Sequence, residues 1–195
     1  SRRTRETHIT VRLDLDGCPA DDIRTGGDAA IDTGIGFLDH LLTALAQHAG
    51  FGLSLTCRGD LQVDDHHTVE DCALCLGAAF DQALGERTSI VRFGWALAPL
   101  DEALARAAVD LATRPSAAVD LNLRQERLGG LACQNLTHFF HSFAQAGRFC
   151  CHLDVLKGIN DHHQAEAAVK ALALALHQAV AYRDQAGPVS TKGVL

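Results

Sequence analysis

Two stretches set adjacent histidines behind an acidic residue and place a glutamate three residues beyond the second histidine: "DDHHTVED" over 64–71 and "NDHHQAEA" over 160–167. If each motif opens a helix, His66 and Glu70 stand at i and i+4, as do His162 and Glu166, so each pair can grip one cation. His67 and His163 are then rotated by about 100° around the axis, and face a different ion. Imidazole mixed with carboxylate, without cysteine, suits Mn, Fe, Co, Ni or Zn better than Ca or Mg, and octahedral Mn fits the carboxylate content. A single histidine is usually an ordinary core or surface residue. The same spacing appearing twice makes a di-metal centre the expectation.

Two octahedra need further ligands, and His40, His48, His138, His141 and His152 are available. His152 lies in the strand-like "FCCHLDV" on the parity opposite Phe149, Cys151 and Leu153, an unexpected place for an imidazole. It therefore joins His40 as an expected ligand, and His138 and His141 are expected to be ordinary helix residues. Arg92, Arg114, Lys170 and Lys192 could hold an anion if the fold brings them together. Lys170 has the best spacing, seven residues beyond His163 and so on its helix face. The pair in "CALC" (72–75) reads as two small buried hydrophobes, since a zinc site would want a second Cys or His pair.

The elements that must position these residues follow from periodicity. "HITVRLDLD" alternates Ile9, Val11, Leu13 and Leu15 against polar partners, as a half-buried strand does, and Glu6 shares the polar parity. After a turn near Gly26 and Gly27, "GFLDHLLTALAQHAG" has helical spacing and stops at Gly50. "FGLSLTCR" reads as a strand, and His66 to about Leu84 as a helix with Val69, Ala73, Leu76 and Phe80 inward. The second half repeats the order: strand-like "SIVRFGWAL", "RAAVDLA" and "AAVDLNL", helical "LTHFFHSFAQAG", strand-like "RFCCHLDVL", then a long helix from "DHHQAEAAVK". The expected fold is α+β, an internal duplication of a β-α-β-α unit with two mixed sheets packed on a central layer of helices. Residues 1–87 and 88–195 would be the two halves, joined in one compact unit.

The chain has 195 residues, is 47% apolar and 21% charged, and has a formal net charge of -7, so it can bury a sizeable core and lacks the basic balance of a polyanion binder. No nucleic-acid or membrane partner is expected, although a local cluster of basic residues can still hold a phosphate. Seven irregularly spaced cysteines do not form a disulfide framework. "SRRTRETHIT" lacks the apolar core of a secretory signal. The expected location is cytoplasmic, or plastid if a transit peptide has been removed, because the chain has no methionine and its first residue is not the initiator.

At the level of whole motifs, "TGIGFLDHLLTALAQHAGF", "DLQVDDHHTVEDCALCLG", "RFGWALAPLDEALARAAVDLATRP", "GINDHHQAEAAVKALALAL" and "STKGVL" resemble the imidazoleglycerol-phosphate dehydratase family of histidine biosynthesis, from about Thr4 to Leu195. The resemblance implies a hydro-lyase with two Mn2+ per active site. It would dehydrate D-erythro-imidazole-glycerol phosphate to imidazole acetol phosphate through a metal-bound imidazolate. It also implies a homo-oligomer, a 24-mer with active sites between subunits. Carried onto matching positions, it implies metal ligands His40, His66, His67, Glu70, His152, His162, His163 and Glu166. Substrate contacts would be Glu6, His48, Arg92, Arg114, Lys170, Ser190, Thr191 and Lys192, with the basic ones and Ser190 around the phosphate. Glu6, Glu70 and Glu166 are the candidate catalytic carboxylates; Glu6 and Glu70 are the proton carriers considered, and Glu6 is preferred for contact with the substrate because Glu70 is committed to metal. Val189 replaces the proline usual before "STKGVL", Ser116 replaces an aromatic, and Gly130 and Gln134 stand where acidic residues are frequent.

Two other readings remain open on the residues alone. A di-metal phosphoesterase also uses His and carboxylate around paired ions. A non-catalytic, histidine-rich metal-binding shell protein would need no basic pocket.

Overall fold

The computed structural model describes residues 1–17, 31–184 and 187–191. The turn expected near Gly26 and Gly27, and Lys192, lie outside the described residues. The first half contributes β1 (Arg2–Arg3), β2 (Thr7–Asp14), β3 (Ile31–Asp32), α1 (Gly36–Ala49), β4 (Gly52–Gly59) and α2 (His66–Leu84). The second contributes β5 (Phe93–Leu100), β6 (Ala103–Asp110), β7 (Ser116–Asp120), the short pair β8 (Arg127–Leu128) and β9 (Leu131–Ala132), α3 (Cys133–Ala146), β10 (Cys150–Lys157) and α4 (Asp161–Val180).

Both large sheets have the same construction. The first runs β1-β2-β4-β3 and the second β5-β6-β10-β7. In each, two antiparallel pairings are followed by one parallel pairing. The strand read over "HITVRLDLD" is β2, but the β-α-β-α unit common to both halves is β3-α1-β4-α2 and β7-α3-β10-α4; it opens in the first half on the short β3, which periodicity did not predict, and each copy is preceded by an antiparallel strand pair. The fold is α+β, with two mixed sheets enclosing a layer of helices.

Helix packing crosses between the halves: α2 lies on α3 and α1 on α4. The sheets supply small buried residues to the interior, Ala98, Ala103, Ala105 and Ala107 in the second, opposite an alanine-rich face of α4. This lets helix and sheet approach closely. A side chain on Gly94 would strike the carbonyl of Ala175.

Arg87 sits at the junction of the halves in the left-handed region, at φ 54°. Its buried guanidinium donates to the carbonyls of Leu111, Gly147 and Arg148 and to Asp81. One buried cation thus ties the end of α2 to the second half, with its donors largely satisfied as burial requires.

Candidate metal centre

Each histidine pair begins its helix as the sequence predicts. Asp64 accepts from the His66 amide at 2.8 Å, and Asn160 accepts from His162 and His163 amides at 2.9 and 3.4 Å. These bonds satisfy amides that have no partner within the helix. The aspartate directly before each pair is buried and bonds elsewhere. Asp65 accepts from Ala132 N at 2.7 Å and from Arg127, and Asp161 accepts from Arg124 N and Gln125 N at 2.8 and 2.6 Å. Both motifs therefore hold the segment that leads into α3. Glycines ending β4 and following β10 admit the helix starts, since a side chain on Gly59 or Gly158 would overlap buried Thr68 or Gln164.

Neighbouring imidazoles diverge. The rings of His66 and His67 lie at 76° with centroids 6.0 Å apart, and those of His162 and His163 at 90° and 6.1 Å. The i,i+4 pairs form as expected, with His66 Nε2 3.7 Å from Glu70 and His162 Nε2 3.3 Å from Glu166.

A third residue joins each pair from the helix of the opposite half. His40 of α1 reaches Glu166 at 2.9 Å, and His138 of α3 reaches Glu70 at 3.1 Å. The resulting groups, His40/His162/Glu166 and His66/Glu70/His138, each bring their ligand atoms within 4.8 Å of one another. They are counterparts under the duplication. The chemistry of two imidazoles and one carboxylate fits a divalent transition ion.

His138 is the functional candidate that spacing missed, and it takes the place expected of His152. His152 is exposed on β10, alternating with buried Cys151 and Leu153, so it points to the outer face of the sheet while the helices cover the inner one. It shares that face with exposed Phe93, Trp95 and Leu97. The signal for His138 was the duplication itself, which pairs its helix with that of His40. His141 is exposed on α3, in neither group.

Glu166 is held by Lys170, whose Nζ lies 2.7 Å away. Burial pushes the Glu166 carboxyl up, but its bonds to Lys170 and His40 prevail and hold it at about 2. Lys170 therefore serves Glu166, one turn back, rather than the side of His163. Glu6 approaches the first motif, its Oε1 3.7 Å from His67 Nε2. The Glu6 backbone amide donates to Thr4 Oγ1, and Thr7 Oγ1 donates to buried Asp71 at 2.5 Å. Asp71 also receives Arg2 Nε at 2.9 Å, so α2 anchors the strand pair that presents Glu6.

Among the candidate anion-binding residues, Arg92 donates twice to Asp110, at 2.6 and 3.0 Å, and also to the carbonyl of Val189, beside Ser190 and Thr191. That acceptor is a backbone carbonyl, which proline and valine offer alike. Arg114 and His48 are exposed and meet neither histidine group within one chain. Ser116 opens β7 opposite Cys150, the Gly130 carbonyl accepts from Arg127, and Gln134 is exposed in the first turn of α3. Cys72 and Cys75 are buried thiols, and Cys72 contacts Cys57, as small hydrophobes would pack.

Known proteins share both the sequence and the fold. The family model described as imidazoleglycerol-phosphate dehydratase matches residues 33–176. A protein of that name from Kluyveromyces lactis is 48% identical over 100% of this chain and 95% of its own length, and one from Neurospora crassa 50% identical over 100% and 93%. The Phytophthora nicotianae relative of the same name is 54% identical, and this chain spans 41% of its length. Among solved structures, the dehydratase from Pyrococcus furiosus, in complex with (S)-C348, superposes with a TM-score of 0.82 at 36% identity, covering 100% of this chain and 99% of that one. The Staphylococcus aureus enzyme gives 0.79 at 31% identity, covering 89% and 94%. These matches discard both the phosphoesterase and the non-catalytic shell readings: with its doubled fold and paired His/Glu groups, the chain belongs to the imidazoleglycerol-phosphate dehydratase family, hydro-lyases of histidine biosynthesis.

Proposed function

We propose that the chain dehydrates D-erythro-imidazole-glycerol phosphate to imidazole acetol phosphate with two Mn2+ ions per active site. The observation that carries this reading is the pair of duplicated groups, His40/His162/Glu166 and His66/Glu70/His138, with His67 and His163 turned aside from them. Bound there, the cations would supply the Lewis-acid charge that lets the substrate's imidazole drive out hydroxide from the neighbouring carbon.

The chain's own groups then have separable roles. His40, His66, His138, His162, Glu70 and Glu166 hold the ions, and His67 and His163 offer a further nitrogen on a different bearing. Of the three candidate catalytic carboxylates, Glu6 is the one outside both groups, so its Oε1 takes or returns the proton. Glu70 and Glu166 are occupied by their histidine partners. Arg92 and the Ser190–Thr191 tail bind the phosphate, with Lys192 and Arg114 adding positive charge, while Lys170 is engaged by Glu166 rather than by the phosphate.

Exposed Phe93, Trp95 and Leu97, at 44%, 67% and 59%, form an apolar sheet face around His152. Such a face supports self-association into a homo-oligomer such as the 24-mer, with sites between subunits that would bring in His48 and Arg114. No helix among the described residues is long and apolar enough to cross a membrane. The proposed location is cytoplasmic, or plastid after removal of a transit peptide.

The deciding experiment incubates Mn-loaded protein with imidazoleglycerol phosphate. Formation of an enolisable ketone that absorbs in alkali supports the proposal. Release of inorganic phosphate without ketone contradicts it. A Glu6→Gln variant with full turnover and both ions bound would remove Glu6 from its role.

A further inference from the structure

The second histidine of each motif is held by a carboxylate at the same ring atom. His67 Nδ1 lies 3.0 Å from Asp60 Oδ2, and His163 Nδ1 lies 2.8 Å from Glu102 Oε2. The duplication does not explain this likeness, because the carboxylates come from unrelated places. Asp60 follows β4, close before its own motif, whereas Glu102 sits in the turn between β5 and β6. Two independent solutions to one geometric requirement point to a function for it.

An ionised carboxylate accepts hydrogen bonds and donates none, so each Nδ1 carries a proton, and in the neutral ring, the form that binds a metal, Nε2 keeps its lone pair. The Glu102 carboxylate is fixed as an acceptor from another side as well, receiving Ile159 N at 3.1 Å and Asn160 N at 2.8 Å on Oε1. The Nε2 atoms face further acidic groups: Glu6 lies 3.7 Å from that of His67, and Asp101 lies 3.6 Å from that of His163. A lone pair flanked by a carboxylate is an arrangement suited to a divalent cation.

We infer that Asp60 and Glu102 are positioning residues that fix His67 and His163 as Nδ1–H tautomers, reserving Nε2 for the metal. The inference rests on the proposed reading of both histidines as metal ligands. It gives Asp60 and Glu102 a part in metal binding without direct contact with the ion.

Glutamine at 102 separates this role from a merely structural one. Its carbonyl can still receive the Ile159 and Asn160 amides, but its NH2 would face Nδ1, pushing the ring proton onto Nε2. Alanine removes the backbone anchor yet leaves the ring free to choose its tautomer. Mn2+ affinity, measured by competition with a chelator, should fall by about 10–100-fold in Glu102→Gln, at least as far as in Glu102→Ala. Thermal stability of the metal-free protein should instead fall further in Glu102→Ala. Both Asp60 oxygens face His67 Nδ1, so asparagine there can still present its carbonyl: Asp60→Leu should weaken Mn2+ binding more than Asp60→Asn, and this pair carries the test if the 102 variants do not fold. Affinity that follows stability, with glutamine the better binder, overturns the inference. His163→Asn is the reference: if it weakens Mn2+ binding and Glu102→Gln does not, only the tautomer role fails. If neither weakens it, the reading of His163 as a ligand fails too.

Discussion

His138 and Glu70 lie 3.1 Å apart on helices from opposite halves of the chain, matching His40 and Glu166 at 2.9 Å. The crossed packing of α2 on α3 and α1 on α4 makes both pairs. Neither half contains a complete three-residue group. The duplication therefore serves the site by exchange: each half supplies a motif and also the histidine that completes the other's.

This relationship sets a direct contrast between two histidines. If each group holds one Mn2+ ion as proposed, His138→Ala should cost the protein one of two ions per chain, because it removes a ligand from the Glu70 group. His152→Ala should leave both ions in place, because that side chain lies across the sheet from both groups. Metal analysis by plasma emission after exhaustive dialysis measures the difference, and loss of metal from the His152 variant alone would reverse the assignment.

Asp71 tests how Glu6 is presented. It is buried and accepts from Thr7 Oγ1 and Arg2 Nε, tying the strand pair that flanks Glu6 to α2. Asp71→Ala removes the charged acceptor of the buried Thr7 hydroxyl, leaving it Thr4 Oγ1 at 3.1 Å, and should cost about 1–3 kcal/mol in urea unfolding. Turnover should fall while bound Mn2+ stays constant. Parallel loss of metal and activity would show that Asp71 shapes the motif helix rather than the placement of Glu6.

The Glu166–Lys170 pair gives the metal-free protein a defined acid response. Held at about 2 in the folded chain, against about 4.3 when unfolded, the Glu166 carboxyl has a depressed folded value. Its stabilisation is therefore present above about pH 4.3 and is lost as pH falls towards 2. The contribution is on the order of 2–3 kcal/mol. Urea unfolding of metal-free protein between pH 5 and 2 should show this loss, and Lys170→Met should flatten it. An unchanged slope in Lys170→Met would mean that other carboxylates set the acid limit.

What the sequence disclosed was mainly local. The i,i+4 spacing placed His66 over Glu70 and His162 over Glu166, and the turn of a helix separated each from its neighbour, because both depend only on helix geometry. The alternation around Ile9 and the helix over His66–Leu84 were legible for the same reason. His138 was not, because its partner lies 68 residues away and is reached only through packing between the halves. Lys170 shows a competing local effect: spacing placed it on the face of His163, but its amine found the nearer carboxylate of Glu166. Asp65 and Asp161 looked like helix-start residues, yet Asp64 and Asn160 cap the amides and free the buried pair to hold a distant segment. Asp60 and Glu102 carried no signal in the motifs, since the backbone alone brings them to the imidazoles.

If the duplicated motifs form two metal centres completed across the halves, the ions themselves must lie at those two places. Crystals of the Mn-loaded protein, measured with X-rays on either side of the manganese absorption edge, locate them without reference to activity. Two anomalous peaks per chain are expected, one against His40, His162 and Glu166 and the other against His66, Glu70 and His138. A single peak, or manganese bound away from both groups, would contradict the paired centres.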